Sequence, residues 1–263
     1  MSGIQAPDKE TMEACRLYVD NLIKPIHSLG KLEDIAVRLA GITGKIKPGK
    51  LNKAIVIMAG DTAVDGENKT GGKTSLTEVQ MVSRGLGTVS AVARTLGAPV
   101  YLIDVGLEQN TNDIEGVLTN KVVYGTHRGN PALDQDAVSA AISIGMSVAR
   151  TLAVQGIQAV GLGNIGERSL LSALGITAAI MKKELQENSL KDGFSLHMDD
   201  VGNMANDPVG VLSRVGSAEI AGLFGLVVQA AREKIAIVFD NAVTGAAVLA
   251  AIEVYPEVRD YVF

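Results

Sequence analysis

Aromatic residues are scarce in this sequence. Phe, Tyr and Trp make up 3% of its 263 residues, and Trp is absent. A core built from this chain is therefore aliphatic, drawn from Ala, Val, Leu and Ile. Cys15 is the one cysteine. That excludes a disulfide framework and any zinc site built on cysteines. The net charge is −5, with no alternation of basic and aromatic residues, so a nucleic-acid backbone is not an expected partner. The Lys45–Lys53 segment is basic but reads as a surface loop. No apolar run reads as long enough to span a bilayer, and MSGIQAPDKETMEACR at the start lacks a signal-peptide apolar stretch. A cytoplasmic protein without membrane partners is the expectation.

What the sequence does have is 47% hydrophobic residues against 20% charged, enough for a substantial core. Short apolar runs end repeatedly in Asp or Gly. Ala54–Ala59 stops at Gly60-Asp61, Val100–Ile103 at Asp104, Ile157–Val160 at Gly161 and Lys234–Phe239 at Asp240. Between them lie helical patterns. These cover Lys9–Ile23, Lys31–Leu39, one helix of about six turns from Ser75 to Leu96, Asp134–Gln155, Glu167–Leu185, a short helix from Asp207, Glu219–Glu233 and Thr244–Ile252. Ser75 and Glu78 have capping-box spacing. Lys121–Tyr124 reads as a short strand, and another begins near Asp260. The alternation predicts an α/β fold, a doubly wound, mostly parallel sheet flanked by helices. It is read as a single domain over 1–263, of which 1–45 is a helical part. Asp61, Asp104, Gly161 and Asp240 should share one edge of the sheet.

Two stretches suggest a site. The first is Ala54–Met81, where a strand ends at Asp61 and feeds a glycine-rich loop, as α/β proteins do at the carboxyl edge of a sheet. A solvated Asp61 capping its own loop fits the same pattern. Gln80, polar at the start of an apolar-striped helix, should point into the crevice beside Asp61. The second is Gly161-Leu162-Gly163-Asn164-Ile165-Gly166-Glu167-Arg168-Ser169, between a strand and a helix. Amides at a helix start favour a phosphate or carboxylate. The spacing is neither the dinucleotide fingerprint nor a P-loop, and a tight turn with no ligand also explains it. Glu167 would repel a phosphate and Arg168 would attract one. His27, His127 and His197 lie in separate loops and read as surface residues or loop hydrogen-bonders. His197-Met198-Asp199-Asp200 has no second His or Cys cluster to make a metal site.

Several motifs in order carry a resemblance. They are Ile23-Lys24-Pro25 through Ser28-Leu29-Gly30-Lys31-Leu32-Glu33, Ala59-Gly60-Asp61, Thr77-x-x-Gln80-Met81-Val82 and Ile103-Asp104-Val105-Gly106. Gly125-Thr126, Pro131-Ala132, Val215-Gly216 with Glu219-Ile220-Ala221, Ala230-Ala231, and Asp240 with Ala246-Ala247 continue the series. Together they resemble the nicotinate-nucleotide–dimethylbenzimidazole phosphoribosyltransferases of cobalamin biosynthesis. The resemblance implies a parallel α/β domain beside a small helical one, assembled as a dimer. It implies transfer of phosphoribose from nicotinate mononucleotide to a ring nitrogen of a benzimidazole-like base, with inversion at the sugar carbon and release of nicotinate. By resemblance Gln80 belongs to the aromatic-base pocket, and the loop with Gly161, Gly163, Asn164, Gly166 and Arg168 lies near the phosphate. No metal and no cofactor are expected.

The departures bear on function. Thr62 stands where the family has a histidine after its Ala-Gly-Asp. The family's glutamate in the glycine loop falls at Leu162, and its Asn-Thr at Glu167-Arg168. Its Gly-Arg-Gly-Thr-Gly segment finds no counterpart between Leu190 and Val211. The LGEG-x-G motif that carries the family's catalytic glutamate is not found up to Phe263. Glu167 is the one replacement base that can be placed near the pocket. Three expectations follow: a transferase for a benzimidazole or phenol base, a subunit that completes a site with an intact paralogue, or a truncated transferase. The first two predict a homodimer or a heterodimer.

Overall fold

The computed structural model describes residues 3–62, 70–123, 132–183 and 207–263. Among these residues five strands form one sheet: β1 (Lys53–Gly60), β2 (Val100–Gly106), β3 (Val117–Thr119), β4 (Ala159–Ile165) and β5 (Ala236–Val238), in the order β3-β2-β1-β4-β5. All four pairings are parallel. The order reverses beside β1, which is where an open parallel sheet leaves a crevice at its carboxyl edge. Alternation along β1 divides the core. Val56 and Met58 join the larger cluster, while Ile57 and Ala59 join a smaller one on the opposite face. Both faces are therefore apolar, as a doubly covered parallel sheet requires.

The larger cluster is built by α5 (Gln135–Val154), α6 (Ser169–Met181), α7 (Pro208–Val215), α8 (Ala218–Arg232) and α9 (Ala242–Val254). Nearly all of α8 is buried. It lies along α5 with backbones in contact, because a Cβ at Gly145 would fall onto the Gly222 carbonyl and one at Gly225 onto that of Ile142. By length and composition α5 is sufficient to cross a membrane, contrary to the expectation that no segment would be. Its small-residue face is taken up by α8. The smaller cluster is roofed by α3 (Lys73–Ser83) and α4 (Thr88–Leu96). Helices α1 (Lys9–Asp20) and α2 (Lys31–Thr43) enclose a third cluster of Cys15, Val19, Val37 and Ala40.

Several local expectations are corrected. The six-turn helix is two helices, because Gly85 adopts φ 73° and the backbone turns between Ser83 and Thr88. Leu86, which stands four residues after Val82 and three before Val89 and so at helical spacing with both, is exposed. Ser75 and Glu78 do not form a capping box. The N-cap is Gly72, and Ser75 bonds elsewhere. The third pairing strand is Val117–Thr119, and Lys121–Val123 is not a strand. Tyr124 lies outside the described residues. β4 runs through Gly161 to Ile165, so the glycines lie within the strand and Gly161 does not mark its end. The chain does not begin a strand at Asp260. A 3₁₀ turn, Pro256–Tyr261, leads to a single parallel bridge from Val262 to Ile237.

Candidate functional site

The carboxyl edge of the sheet is organised by two buried aspartates. Asp61 follows β1 and is 4% exposed. Its Oδ1 accepts from Ser75 Oγ at 2.6 Å and from the Glu167 amide at 2.9 Å, and its Oδ2 accepts from the Glu108 amide at 2.9 Å. One carboxylate thus ties the first turn of α3, the β4–α6 turn and the segment after β2 to the end of β1. Gly72 makes room for it: its φ is 75°, and a Cβ there would lie 2.8 Å from Asp61 Oδ2. Asp104, fully buried in β2, accepts from the Gly106 and Leu107 amides and from Thr111 Oγ1. Lys121 Nζ lies 3.4 Å from it and donates to the Leu107 and Gln109 carbonyls, both at 2.6 Å. Both aspartates are occupied by protein donors, so they shape the crevice from behind.

Beyond them a cavity of about 460 Å³ lies on the smaller-cluster face of the sheet. Gly161 and Gly163 of β4, with Ile55 and Ile57 of β1, form its floor. Val82, Val89 and Val92 wall one side, and Val238 and Phe239 the other. Its polar groups are Glu78 on α3, Thr88 on α4, and Asn164, Asp240 and Asn241 at or just after the ends of β4 and β5. Asn241 Nδ2 donates to Asn164 Oδ1 at 3.3 Å, which links the two strand ends. An apolar cavity floored by glycines and edged by a few polar groups suits a flat aromatic ligand.

The β4–α6 turn follows Asn164 and Ile165, which line the cavity, and is bonded to Asp61. Gly166 is packed on the Gly60 carbonyl, and a Cβ would overlap that oxygen. Arg168 caps α6 with φ 67° and no side-chain cap bond. The Glu167 carboxylate accepts from Thr70 Oγ1, and burial followed by the Asp61 charge pushes it above the ordinary carboxylate range. Below the turn lies Glu219, in the first turn of α8 and fully buried. Its Oε1 accepts from Ser169 Oγ at 2.6 Å. Burial pushes this carboxyl up to about 7; the Ser169 and Ser217 hydroxyls pull it down, and Asp61 adds to the rise.

Gly161, Gly163 and Asn164 are thus brought to the cavity, and Gly166, Glu167 and Arg168 to the adjoining turn. Gln80 faces a different groove, with Ser83, Arg84, Asn110 and Asp113, while Glu78 of the same helix faces the cavity. Thr62, where the family's histidine was aligned, is buried and donates its amide to the Glu167 carbonyl at 3.1 Å. Leu162 is buried in the larger cluster. His127 and His197–Asp200 lie outside the described residues. Among the described residues Asp20, His27 and Glu33 form a trio of potential metal ligands, but Lys24 Nζ already sits 2.8 Å from Glu33 Oε1. Sequence reasoning missed Glu78, Asn241 and Glu219 as site residues. Glu219 carried a signal, as the lone acid in the apolar run Ala218–Ala231.

A phosphoribosyltransferase family model matches residues 4–263. A nicotinate-nucleotide–dimethylbenzimidazole phosphoribosyltransferase of Alkaliphilus metalliredigens is 34% identical over 279 residues, covering 98% of this chain and 79% of the relative. One of the same name from Geobacter sulfurreducens is 32% identical, over 100% and 80%. The crystal structure of such an enzyme from Thermus thermophilus superimposes with a TM-score of 0.84 at 25% identity, over 97% of this chain and 81% of that one.

Proposed function

The chain belongs to the nicotinate-nucleotide–dimethylbenzimidazole phosphoribosyltransferase family, and on that premise we propose that it transfers phosphoribose from nicotinate mononucleotide to a benzimidazole- or phenol-type base destined to be the lower ligand of a cobamide. The observation that carries the reading is the glycine-floored cavity beside the β4–α6 turn. A planar base stacks on Gly161 and Gly163 between the valines of α3 and α4 and Phe239. The phosphate of the mononucleotide takes the start of α6, where the helix dipole and Arg168 favour an anion. The nucleophilic atom of the base then attacks the anomeric carbon on the face opposite nicotinate. The C–N bond breaks with its electron pair going to the pyridine nitrogen, which loses its positive charge. The proton shed by the base goes to a carboxylate on the cavity rim, Glu78 or Asp240. Glu167 does not line the cavity and is less well placed for it. Holding both reactants in one crevice supplies proximity, and the carboxylate supplies general-base catalysis.

The proposal includes a dimer, of identical chains or with a paralogue. Val92, Val238 and Phe239 leave apolar surface at the cavity mouth, which a second subunit would cover. We place the protein in the cytoplasm, in keeping with its single, buried Cys15. The test is to incubate the purified chain with nicotinate mononucleotide and either dimethylbenzimidazole or a phenol, following nicotinate and the new ribotide by mass spectrometry, with light scattering for mass. Ribotide formation that falls about a hundredfold or more in the E78Q/D240N double variant is expected. No ribotide from any base, with the A. metalliredigens enzyme active alongside, overturns the reading.

A further inference from the structure

Glu219 is a fully buried ionisable group for which the proposed chemistry has no use. It sits where four pieces of the edge meet. Its Oε1 takes the Ser169 hydroxyl at 2.6 Å, and the same hydroxyl lies 3.1 Å from the Gly166 carbonyl. Its Oε2 is packed so closely on β1 that a Cβ at Gly60 would lie 2.8 Å away. Oε2 and Ser217 Oγ are both buried without a well-placed hydrogen-bond partner, although the Ser217 hydroxyl is near enough to favour the ionised carboxylate. A carboxylate left with one oxygen unsatisfied in an apolar surround is costly, and a carboxylic acid there is much less so.

We propose that Glu219 is a positioning residue for the phosphoribosyl donor: through Ser169 it holds the β4–α6 turn in place, and its protonation state sets how strongly that turn takes an anion. The inference rests on the reading that the start of α6 receives the phosphate. Ser169 is the first residue of α6, so a negative charge on Glu219 lies one side chain behind that site. Protonated, Glu219 leaves the turn to the helix dipole and Arg168. Ionised, it opposes the phosphate through a water-poor interior, where charges act over several ångströms. The groups around it are Asp61 at the end of β1, Glu167 and Arg168 in the turn, Ser169 on α6 and Ser217 at its own N-cap. Asp104 on β2 is matched by Lys121. Asp61 is an acid, and its charge favours the proton on Glu219.

The experiment measures nicotinate mononucleotide affinity by calorimetry, and its KM, from pH 6 to pH 8.5 in the wild-type chain, E219Q and S169A. The substrate phosphate titrates near pH 6 in all three, so differences between proteins isolate Glu219. In the wild type, affinity should weaken about tenfold relative to E219Q as pH rises through 7. E219Q, which keeps an oxygen for Ser169 and cannot ionise, should bind at pH 8.5 as the wild type does at pH 6 once the phosphate is allowed for. S169A removes a donor that favours the ionised form, so its loss of affinity should come at higher pH than in the wild type. This second variant decides the matter if E219Q does not fold. Parallel profiles in wild type and E219Q, or an unmoved midpoint in S169A, overturn the inference while leaving the proposed function standing. No mononucleotide binding by any of the three at any pH overturns both.

Discussion

Glu167 donates its backbone N–H to Asp61 Oδ1 at 2.9 Å, and Thr62 returns the link by donating to the Glu167 carbonyl at 3.1 Å. The turn that carries Arg168 and starts α6 is thereby pinned to the end of the central strand. The same carboxylate also holds the first turn of α3 through Ser75 and the segment after β2 through Glu108.

Replacing Asp61 with Asn therefore tests the frame. The amide keeps one acceptor oxygen but turns an NH2 group toward donors that need a partner. Leaving a buried donor unpaired costs about 1–3 kcal/mol. D61N should lower stability by about 2 kcal/mol in urea unfolding and weaken mononucleotide binding, since the turn loses its anchor. Unchanged stability and binding would show that Asp61 is dispensable.

Lys121 and Asp104 form a buried pair, 9% and 0% exposed. Removing one member leaves the other charge uncompensated, which costs roughly 3–5 kcal/mol. K121M should reach the lower end of that range, because Asp104 retains the Gly106 and Leu107 amides and Thr111. A denaturation midpoint equal to wild type contradicts this.

Glu219 gives the stability a pH dependence. Its carboxyl titrates near 4.5 when unfolded and near 7 when folded, so the native state binds the proton more tightly. The contribution is fully present below about pH 4.5 and is lost as pH rises through 7. At 1.36 kcal/mol per unit the loss is roughly 3 kcal/mol. Thermal melts at pH 5 and pH 8 should thus differ more for wild type than for E219Q, with the wild type weaker at pH 8. Equal differences in the two proteins would refute the assignment.

Gly161 marks the floor of the cavity. A Cβ there would meet Ile55 Cγ1 at 3.6 Å, an ordinary contact, so a larger side chain fits the sheet but occupies the space above it. G161V should raise the KM for the aromatic base by about tenfold or more and leave mononucleotide affinity within about twofold. Equal effects on both substrates would mean that the base binds elsewhere.

The order of strands and helices was legible because each apolar run and stripe is a local pattern, and each has a Gly or Asp to end it. The break at Gly85 was legible too, in the pair Gly85 and Gly87, but the apolar spacing continued through Leu86 and outweighed it. The β4 glycines misled for a physical reason. Gly161 and Gly163 suit a loop by themselves, yet parallel pairing with Ile55 and Ile57 on β1 extends them into a strand.

Sequence by itself determined an aliphatic parallel α/β fold with aspartates at the strand ends, since burial period and turn chemistry are written residue by residue. Tertiary structure alone decided what those aspartates do. Asp61 has both oxygens taken by donors from three other segments, and Asp104 by its own strand end, Thr111 and Lys121, so they frame the site and do not face it. It also decided which groups share the cavity. Glu78, Asn164, Asp240 and Asn241 come from a helix and two strand ends far apart in the chain, and only the β1–β4–β5 pairing brings them together. A carboxyl titrating near 7 likewise exists only once α8 is buried against β1 and α6, because desolvation is a property of the packed interior and not of the residue.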